Sequence, residues 1–495
     1  MVIPTALYYL FAPLLVALVG ILAERMGSSK LRSVFSILAS VWGVASVYQL
    51  YNMLQSSPNQ ILLITLGGNP PLAACLEIDA LSIYVAFSAA LLGLFANVYS
   101  YSYMSHDTRL TEYYTLLQAL VVGIIGVALA GDLFTLFIFW EAMGISSYTL
   151  VSFRKDTPGP IEAGFKYMIM GSVGSTILFF GAALLYGMTG TLNLAQMSSV
   201  LRGHAISPWL YIVFAMLIVG FGVKCAIVPM HTWLPDAHPE APSPISAMLS
   251  GIVIETGLYA MVRVLYLLFE PSFFTLPMMI LAILTMSLGN IMALLQNDLK
   301  RLLAYSSIAQ IGYMLIGVST GLSIGLLGTF MHVFNHSLMK GMAFLAAGNI
   351  VHETGTRDLN EMKGVGRMMP ITTFAITIAF LGLGGVPGTS GFISKFILFN
   401  ASLGAGIPIL AVVGVLNSTL SMAYYLRVVM TLLDGKATGG MVVKEAPLSM
   451  AGVILVMSIL VIVLGLYPSP IMGISTDASE ALITGLFNYI GAVLR

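Results

Sequence analysis

Seven ionisable side chains lie inside long apolar stretches of the sequence, where they could pass protons. They are Glu141, Lys224, Glu255, His332, His336, Lys340 and Lys395. Imidazole titrates near neutral pH, and the protonation of buried lysines and carboxylates responds strongly to nearby charges. A charge at mid-membrane costs roughly 2.5–3.5 kcal/mol on insertion scales. These residue types therefore predict a proton relay; pairing for packing alone is the alternative for any one of them.

The spacing of three of these residues predicts a polar stripe on one helix. His332, His336 and Lys340 are four residues apart within a single apolar run. Residues i and i+4 lie on the same helical face, so the three should stack along it. A histidine pair at this spacing could also bind a metal ion, but no third ligand is evident nearby.

A second set of possible metal ligands lies in the proline-rich stretch 231–244. By residue type it offers a plausible cluster of His231, Asp236, His238 and Glu240. The density of prolines favours a rigid loop at the membrane interface instead. We expect no metal site, no bound cofactor and no catalytic residue in this chain.

Two of the apolar runs look interrupted. One continues after Lys224 into Ile227-Val-Pro229, and the other contains Gly382-Leu-Gly-Gly-Val-Pro387-Gly before Lys395. Proline removes a backbone donor, and freed backbone groups at membrane depth are tolerated only beside protein or water-filled cavities. Broken helices at corresponding positions of two halves are typical of transporters with inverted repeats. Five spans separate the breaks, which predicts a five-helix repeat unit.

The composition of the whole chain sets the environment of these elements. Of 495 residues, 58% are hydrophobic and 8% are charged, with 21 basic and 21 acidic side chains. Soluble domains average about 25% charged residues, so an ordinary soluble protein, a disordered protein and a nucleic-acid-binding protein are excluded. Two cysteines, Cys75 and Cys225, are too few for an iron–sulfur cluster, a structural zinc site or a disulfide framework.

The sequence predicts an all-α integral membrane protein with about 14 transmembrane helices. The apolar runs are centred near residues 14, 43, 90, 121, 143, 175, 219, 256, 284, 311, 338, 385, 420 and 458. We expect three N-terminal helices in 1–110, two inverted five-helix repeats in 111–270 and 271–435, and in 436–495 a last helix followed by an interfacial segment.

The basic residues predict the orientation of the chain. If the spans alternate, one set of loops carries fourteen of them: Arg25, Lys30, Arg32, Arg109, Arg154, Lys155, Lys300, Arg301, Arg357, Lys363, Arg367, Arg427, Lys436 and Lys444. The opposite set holds only Arg202 and Arg495, with Arg263 near the end of its span. Since basic loops stay in the cytoplasm, we expect both termini outside the plasma membrane of the cell.

Several phrases of the sequence resemble the antiporter-like subunits of respiratory complex I, Mrp cation/proton antiporters and membrane-bound energy-converting hydrogenases. The phrases are Trp140-Glu141, the run Lys224–His238, the run Asp298–Gly312 and the run His336–Gly341. The resemblance extends from about Asp79 to Arg427. The chain length and the closing Gly465-Leu-Tyr-Pro look most like the D component of Mrp antiporters and its hydrogenase counterparts.

The resemblance implies a role for each buried ionisable group. Glu141 and Lys224 would form the charged pair of a first half-channel, and Lys395 would be the terminal exchange site of a second. The stripe on the eleventh span would be the hydrated connection between them.

One position departs from the family pattern. Glu255, in Gly251-Ile-Val-Ile-Glu-Thr-Gly, stands where the family usually carries a lysine. Next to Lys224, a carboxylate is expected to attract that lysine rather than repel it. This substitution could mean altered coupling or a cation site.

The leading hypothesis is a proton- or sodium-translocating subunit of an Mrp-type antiporter or of a redox-driven pump. It would have no catalytic site of its own, and its partners would be other membrane subunits, the lipid bilayer, protons and, as an open alternative, sodium. A stand-alone secondary cation/proton antiporter is the second hypothesis. A redox subunit that binds quinone or a metal is the third, and the lack of cysteine clusters, haem-type ligand sets and nucleotide loops in the sequence argues against it.

Overall fold

The chain forms a helical bundle in a computed structural model that describes residues 5–26, 29–57, 60–66, 74–202, 208–435, 443–483 and 485–494. The helices are α1 (Ala12–Arg25), α2 (Ser29–Gln55), α3 (Ala80–Tyr103), α4 (Leu110–Leu129), α5 (Leu133–Val151), α6 (Pro158–Thr189), α7 (Leu194–Leu201), α8 (Pro208–Cys225), α9 (Leu234–Glu240), α10 (Ser243–Met248), α11 (Ile254–Leu268), α12 (Pro271–Leu294), α13 (Leu299–Ser319), α14 (Ser323–Thr354), α15 (Pro370–Gly384), α16 (Ser390–Gly404), α17 (Pro408–Leu433), α18 (Leu448–Leu466), α19 (Ser469–Ile483) and α20 (Leu486–Val493). Short 3-10 turns occupy Thr5–Phe11 and Val365–Arg367. Lys436 and Arg495, which belong to the predicted charge pattern, lie outside the described residues.

Helices that can cross a membrane account for most of the chain. Within the described ranges, twelve helical segments are long and apolar enough to do so. Two further segments complete the predicted set: α14, which is 32 residues long and carries the histidine stripe, and the interrupted pair α15–α16. The helical membrane fold is therefore confirmed. The division into two inverted five-helix repeats stays a prediction.

A small two-stranded β-hairpin adds to the helices without changing the predicted all-α membrane class. Strands β1 (Leu62–Leu66) and β2 (Ala74–Ile78) pair antiparallel with Leu62 opposite Ile78. Each strand is only five residues long, too short for its alternation to stand out in a chain this apolar.

The hairpin is anchored by a buried carboxylate. Glu77 accepts a hydrogen bond from Asn193 Nδ2 at 2.7 Å and another from the Tyr489 hydroxyl. Nearby, Arg263 pairs with Asp79 at 2.5 Å. Burial raises the pKa of the Glu77 carboxyl to about 8, against the opposing effects of the Asn193 hydrogen bond and the Arg263 charge. The hairpin, α7, α11 and α20 are thereby fastened together.

The core of the bundle is made by α13, α14 and the span Ser243–Leu268. Every residue in the apolar windows of α13 and of the Ser243–Leu268 span is buried. That span contains α10, one π-helical turn at Leu249–Val253, and α11. The lipid-facing helices, such as α6, α12 and α17, leave more of their residues exposed. Charges on the core helices are therefore shielded from lipid.

Two breaks lie where the sequence predicted them. α8 ends at Cys225, and Ala226 follows in the left-handed region at φ +55°. α15 ends at Gly384, and Gly385 and Gly388 adopt φ +84° and +89°. Glycine takes these left-handed angles without the steric penalty that a side chain would bring. The second break thus depends on its glycines.

The Gly385→Ala variant should destabilise the protein. A Cβ at this position would lie 3.2 Å from Lys395 Cδ, and a left-handed alanine costs roughly 1–2 kcal/mol. We expect a lower midpoint of thermal unfolding in detergent. Gly404→Ala is the matched control, because a Cβ there meets open space and no left-handed angle. Equal midpoints for the two variants would contradict the assignment.

The Glu77→Gln variant should flatten the dependence of stability on pH. A glutamate in the unfolded chain titrates near 4.3, whereas the pKa of Glu77 in the folded protein is about 8. Between these values the folded state holds the extra proton, so Glu77 lowers stability as the pH rises. Thermal midpoints from pH 5 to pH 8 should fall less in Glu77→Gln than in the parent protein. Exposed Glu112 offers the control substitution Glu112→Gln, which should retain the parent slope; a parent slope in Glu77→Gln itself would refute the role of this carboxyl.

Candidate ion-translocation site

The predicted site residues lie on five helices of the bundle. They are Glu141 on α5, Lys224 on α8, Glu255 on α11, His332, His336 and Lys340 on α14, and Lys395 on α16. Apart from Glu141, which is partly buried, none is more than 2% exposed. Their contacts divide them into a first group on α5 and α8 and a second group on α11, α14 and α16.

The first group contains Glu141 and Lys224, which lack the direct ion pair expected from the resemblance. Among the described residues, neither Lys224 Nζ nor Glu141 Oε1 has a hydrogen-bond partner, although both atoms are buried. The two charges are close enough to interact electrostatically. Three aromatic rings lie within 6 Å of the lysine ammonium instead. The two residues thus form a separated charged pair, and their role in a first half-channel stays a prediction.

The second group begins with Glu255, which turns toward α14. Its Oε1 hydrogen-bonds with Nδ1 of His336, and both side chains are fully buried. The hydrogen bond of Glu255 is thus to His336 and not to Lys224, and the expected attraction between Glu255 and Lys224 stays a prediction. The reason for this contact is the direction of the side chain: Gly257, two residues further along α11, is the position that packs against Lys224.

His332 connects α14 with α13 and α16. Its Nδ1 hydrogen-bonds with Ser394 Oγ at 2.9 Å, and its Nε2 with Gln310 Oε1 at 3.0 Å. The Gln310 amide then donates to the carbonyl of Leu383 at 3.1 Å. Lys395 Nζ donates to the same carbonyl at 2.6 Å. His332 and Lys395 are therefore joined through one amide and one backbone oxygen.

The Leu383 carbonyl is available because of the helix break. In an unbroken helix it would accept a hydrogen bond from the residue four positions on, which here is Pro387. Proline has no N–H, so the carbonyl must find another donor. Lys395 and Gln310 supply that donor. The break thus creates the acceptor that holds Lys395 in the bundle.

Lys340 lies on the predicted helix face but makes its hydrogen bonds to α13. Its Nζ donates to the carbonyl of Leu303 at 2.9 Å and to Ser306 Oγ at 2.7 Å, both on α13. The rings of His332 and His336 remain neighbours, with centroids 6.2 Å apart. The three residues share a helix face, as predicted, but Lys340 bonds sideways rather than to His336. Its place in a relay stays a prediction.

The possible metal cluster in 231–244 does not assemble. Asp236 pairs with Lys166 and Arg301, Glu240 pairs with Arg357, and the His238 ring stacks on Phe344 with centroids 4.5 Å apart. Across the described part of the chain, no three histidine, cysteine or acidic side chains converge as metal ligands.

Neutral groups link the charged ones, and they were not among the predicted site residues. Gln310 lies inside an apolar span, and Ser394 directly precedes Lys395. A buried amide in a membrane helix is itself a signal, because an amide needs partners as a charge does. Trp140, Gly144 and Tyr148 follow the i, i+4 spacing that places them on one face of α5. That spacing could have predicted the ring contacts of Lys224.

Comparison with known proteins places this arrangement in a family. Residues 130–421 match the family model described as NADH:quinone oxidoreductase/Mrp antiporter, TM, which is more than half of the chain. The chain belongs to this family. A second model, the N-terminus of chain 5 of NADH-ubiquinone oxidoreductase (complex I), matches residues 67–114.

Relatives within the NADH:quinone oxidoreductase/Mrp antiporter family align with most of this chain and with most of their own length. F(420)H(2) dehydrogenase subunit N of Methanosarcina mazei is 34% identical over 82% of this chain and 85% of its own. NADH-quinone oxidoreductase subunit N of Desulforudis audaxviator is 34% identical over 82% and 84%. These relatives are N subunits, so the likeness to the D component of Mrp antiporters stays a prediction.

Solved structures of the family have the same fold. A chain of the archaeal membrane-bound sulfane sulfur reductase superposes with a TM-score of 0.89 at 29% identity, covering 99% of both chains. A chain of the Mrp complex from a Dietzia species superposes with a TM-score of 0.90 at 24% identity, covering 100% of both. The similarity to the Mrp chain shows a common fold only. The chain is thus an antiporter-like membrane subunit of the kind found in ion-pumping complexes.

The contact between Glu255 and His336 should appear as energetic coupling. Glu255→Gln removes the charge but keeps an acceptor oxygen, and His336→Asn removes the imidazole. Since the two side chains act through one hydrogen bond, we expect the double variant to lose no more proton flux than the worse single variant. Proton flux in vesicles containing the assembled protein would be measured for all three. Losses that multiply would show that the two residues act independently.

Proposed function

We propose that this chain moves protons through its buried carboxylate, lysine and histidine side chains, as one membrane subunit of a larger ion-pumping complex. The observation that carries the proposal is the series of contacts from Glu255 through His336, His332 and Gln310 to Lys395. Such groups are costly inside a membrane protein, and their presence therefore indicates a function in transport. The family relatives are N subunits of dehydrogenase complexes, which supports other membrane and redox subunits as partners.

The first group acts as the electrostatic trigger of this relay. Two unit charges 4 Å apart interact by about 4 kcal/mol at an effective dielectric of about 20. Moving a proton against 100 mV costs roughly 2.3 kcal/mol. Making or breaking a Glu141–Lys224 pair is therefore large enough to drive one transfer. The separated arrangement of the two residues corresponds to the open state of that pair.

Protons are favoured over sodium as the transported ion. The titratable groups of the second group are imidazole and ammonium groups around a single carboxylate, Glu255. The neutral oxygen atoms beside them, on Gln310, Ser394 and the Leu383 carbonyl, are already hydrogen-bonded to His332 or Lys395. A sodium ion is bound by several oxygen atoms, whereas lysines and histidines transfer protons. The position of Glu255 next to an imidazole supports proton exchange between the two.

The distribution of charge supports an orientation in the plasma membrane with both termini outside. Four ion pairs of the described loops contain basic residues of the larger set: Arg154–Asp107, Arg301–Asp236, Arg357–Glu240 and Lys363–Asp434. The opposite loops contain the pair Arg202–Glu270. The basic members of the four pairs belong to the excess expected on the cytoplasmic side.

Removal of the trigger carboxylate Glu141 or of Lys395, the last group of the relay, should stop transport. We expect Glu141→Gln and Lys395→Ala to lower proton flux at least about tenfold while the complex still assembles. Flux would be followed with a pH-sensitive dye in proteoliposomes of the purified complex, driven by a potassium diffusion potential. Lys363→Ala is the control, because Lys363 is half exposed and pairs with Asp434 at the surface. Unchanged flux in both relay variants would refute the proposal.

A stand-alone antiporter is distinguished by a second measurement. The lone chain in liposomes would be tested for proton movement driven by a sodium gradient. We expect none, because the chain is proposed to work within a complex. Sodium-driven flux from the lone chain would favour the secondary antiporter instead. Identification of the proteins that co-purify with the chain would name the complex.

A further inference from the structure

Three aromatic rings surround the ammonium of Lys224. Its Nζ lies 5.7 Å from the ring centroid of Trp140, 5.4 Å from that of Tyr148 and 5.6 Å from that of Tyr167. A cation this close to an aromatic face is attracted by the negative face of the ring, most strongly when water is excluded. Lys224 is only 2% exposed. The three rings therefore take the place that a hydrogen-bond acceptor would normally occupy.

The rings are fixed by contacts that do not involve the lysine. The Trp140 indole donates to Ser175 Oγ at 3.2 Å. Tyr167 stacks on Trp233 with centroids 3.8 Å apart, and the Trp233 indole donates to the carbonyl of Val223 at 2.7 Å. Because Val223 immediately precedes Lys224 in the chain, the last turn of α8 is tied to the rings that face its own lysine.

Room for the Tyr148 ring is kept by two glycines. A Cβ on Gly171 would lie 1.9 Å from the Tyr148 hydroxyl oxygen. A Cβ on Gly144 would lie 3.0 Å from the same oxygen and 3.5 Å from Lys224 Nζ. A side chain on Gly171 would force the Tyr148 ring to move, whereas one on Gly144 would require a shift of only a few tenths of an ångström. The ring contacts are thus built into both α5 and α6.

We infer that Trp140, Tyr148 and Tyr167 are positioning residues, which hold the Lys224 ammonium in a second resting place when it is not paired with Glu141. This inference rests on the proposed function. Trp140 and Glu141 are consecutive residues of α5, so the indole ring and the carboxylate that can contact the Lys224 ammonium lie on the same helical turn. The rings stabilise the charged lysine without supplying a proton acceptor. The ammonium can then leave the carboxylate and keep its proton until a transfer occurs.

Paired substitutions of Tyr148 test the inference. Tyr148→Phe keeps the ring and loses the hydroxyl, whereas Tyr148→Leu loses the ring. We expect proton flux within about twofold of the parent for Tyr148→Phe, and a loss of roughly two- to thirty-fold for Tyr148→Leu, the range given by the strength of cation–π contacts. Trp140→Phe and Trp140→Leu form a second pair, to be used if a Tyr148 variant fails to assemble. Equal flux in the Phe and Leu variants of either pair would overturn the inference.

The pH profile of flux separates positioning from mere packing. Around Lys224, the charged group is Glu141 and the titratable groups are the phenols of Tyr148 and Tyr167. Loss of a ring removes support for the ammonium, so the alkaline limb of the profile should move to lower pH in the Leu variants. It should stay in place in the Phe variants. A lower flux with an unmoved profile would mean a structural role only and would overturn the inference.

The relay variants keep the two proposals distinguishable. If Glu141→Gln and Lys395→Ala stop flux while Tyr148→Leu matches Tyr148→Phe, the role of the rings fails and the relay stands. If the relay variants leave flux unchanged, the proposed function fails, and the inference about the rings fails with it.

Discussion

The arrangement of the second half of this protein depends on one backbone oxygen without a helical partner. Pro387 cannot donate to the carbonyl of Leu383, and a carbonyl left unpaired in an apolar interior is costly. Lys395 and Gln310 satisfy it. By doing so, they bring an ammonium and an amide to the same point, and the amide extends to His332. A local defect in one helix thus organises side chains from three others.

The contacts divide the buried groups into a connected set and an isolated one. From Glu255 to Lys395, each group is hydrogen-bonded to or packed against the next, whereas the Lys224 ammonium is held by aromatic rings. A relay built only of hydrogen bonds would conduct at all times and would couple to nothing. Under the proposed function, an ammonium that moves between the rings and a carboxylate would add a step that an external charge can control. This division is what a pump requires and a passive pore does not.

The positions of the helices and the seven ionisable side chains inside the apolar runs were predictable from the sequence, because runs of about twenty apolar residues are typical of membrane spans and a charge inside such a run is rare. The partners of those groups were not. Glu255 bonds with His336 rather than Lys224 because of its direction on α11, which spacing alone does not reveal. The acceptor of Lys395 is a main-chain atom, invisible in a list of side chains. The rings beside Lys224 come from α5 and α6, which only the folded bundle brings together.

The π-helical turn at Leu249–Val253 has a consequence for how this chain is aligned with others. A π turn takes up one residue more than an α turn, and one residue corresponds to about 100° of rotation around a helix. The turn lies directly before α11, so it sets the direction in which Glu255 points. In a chain without the π turn, the residue aligned with Glu255 would face a different neighbour. The residue one position away in the sequence would point in the direction that Glu255 takes here. Equivalence at this position is therefore decided by the angle around the helix axis rather than by the column of an alignment.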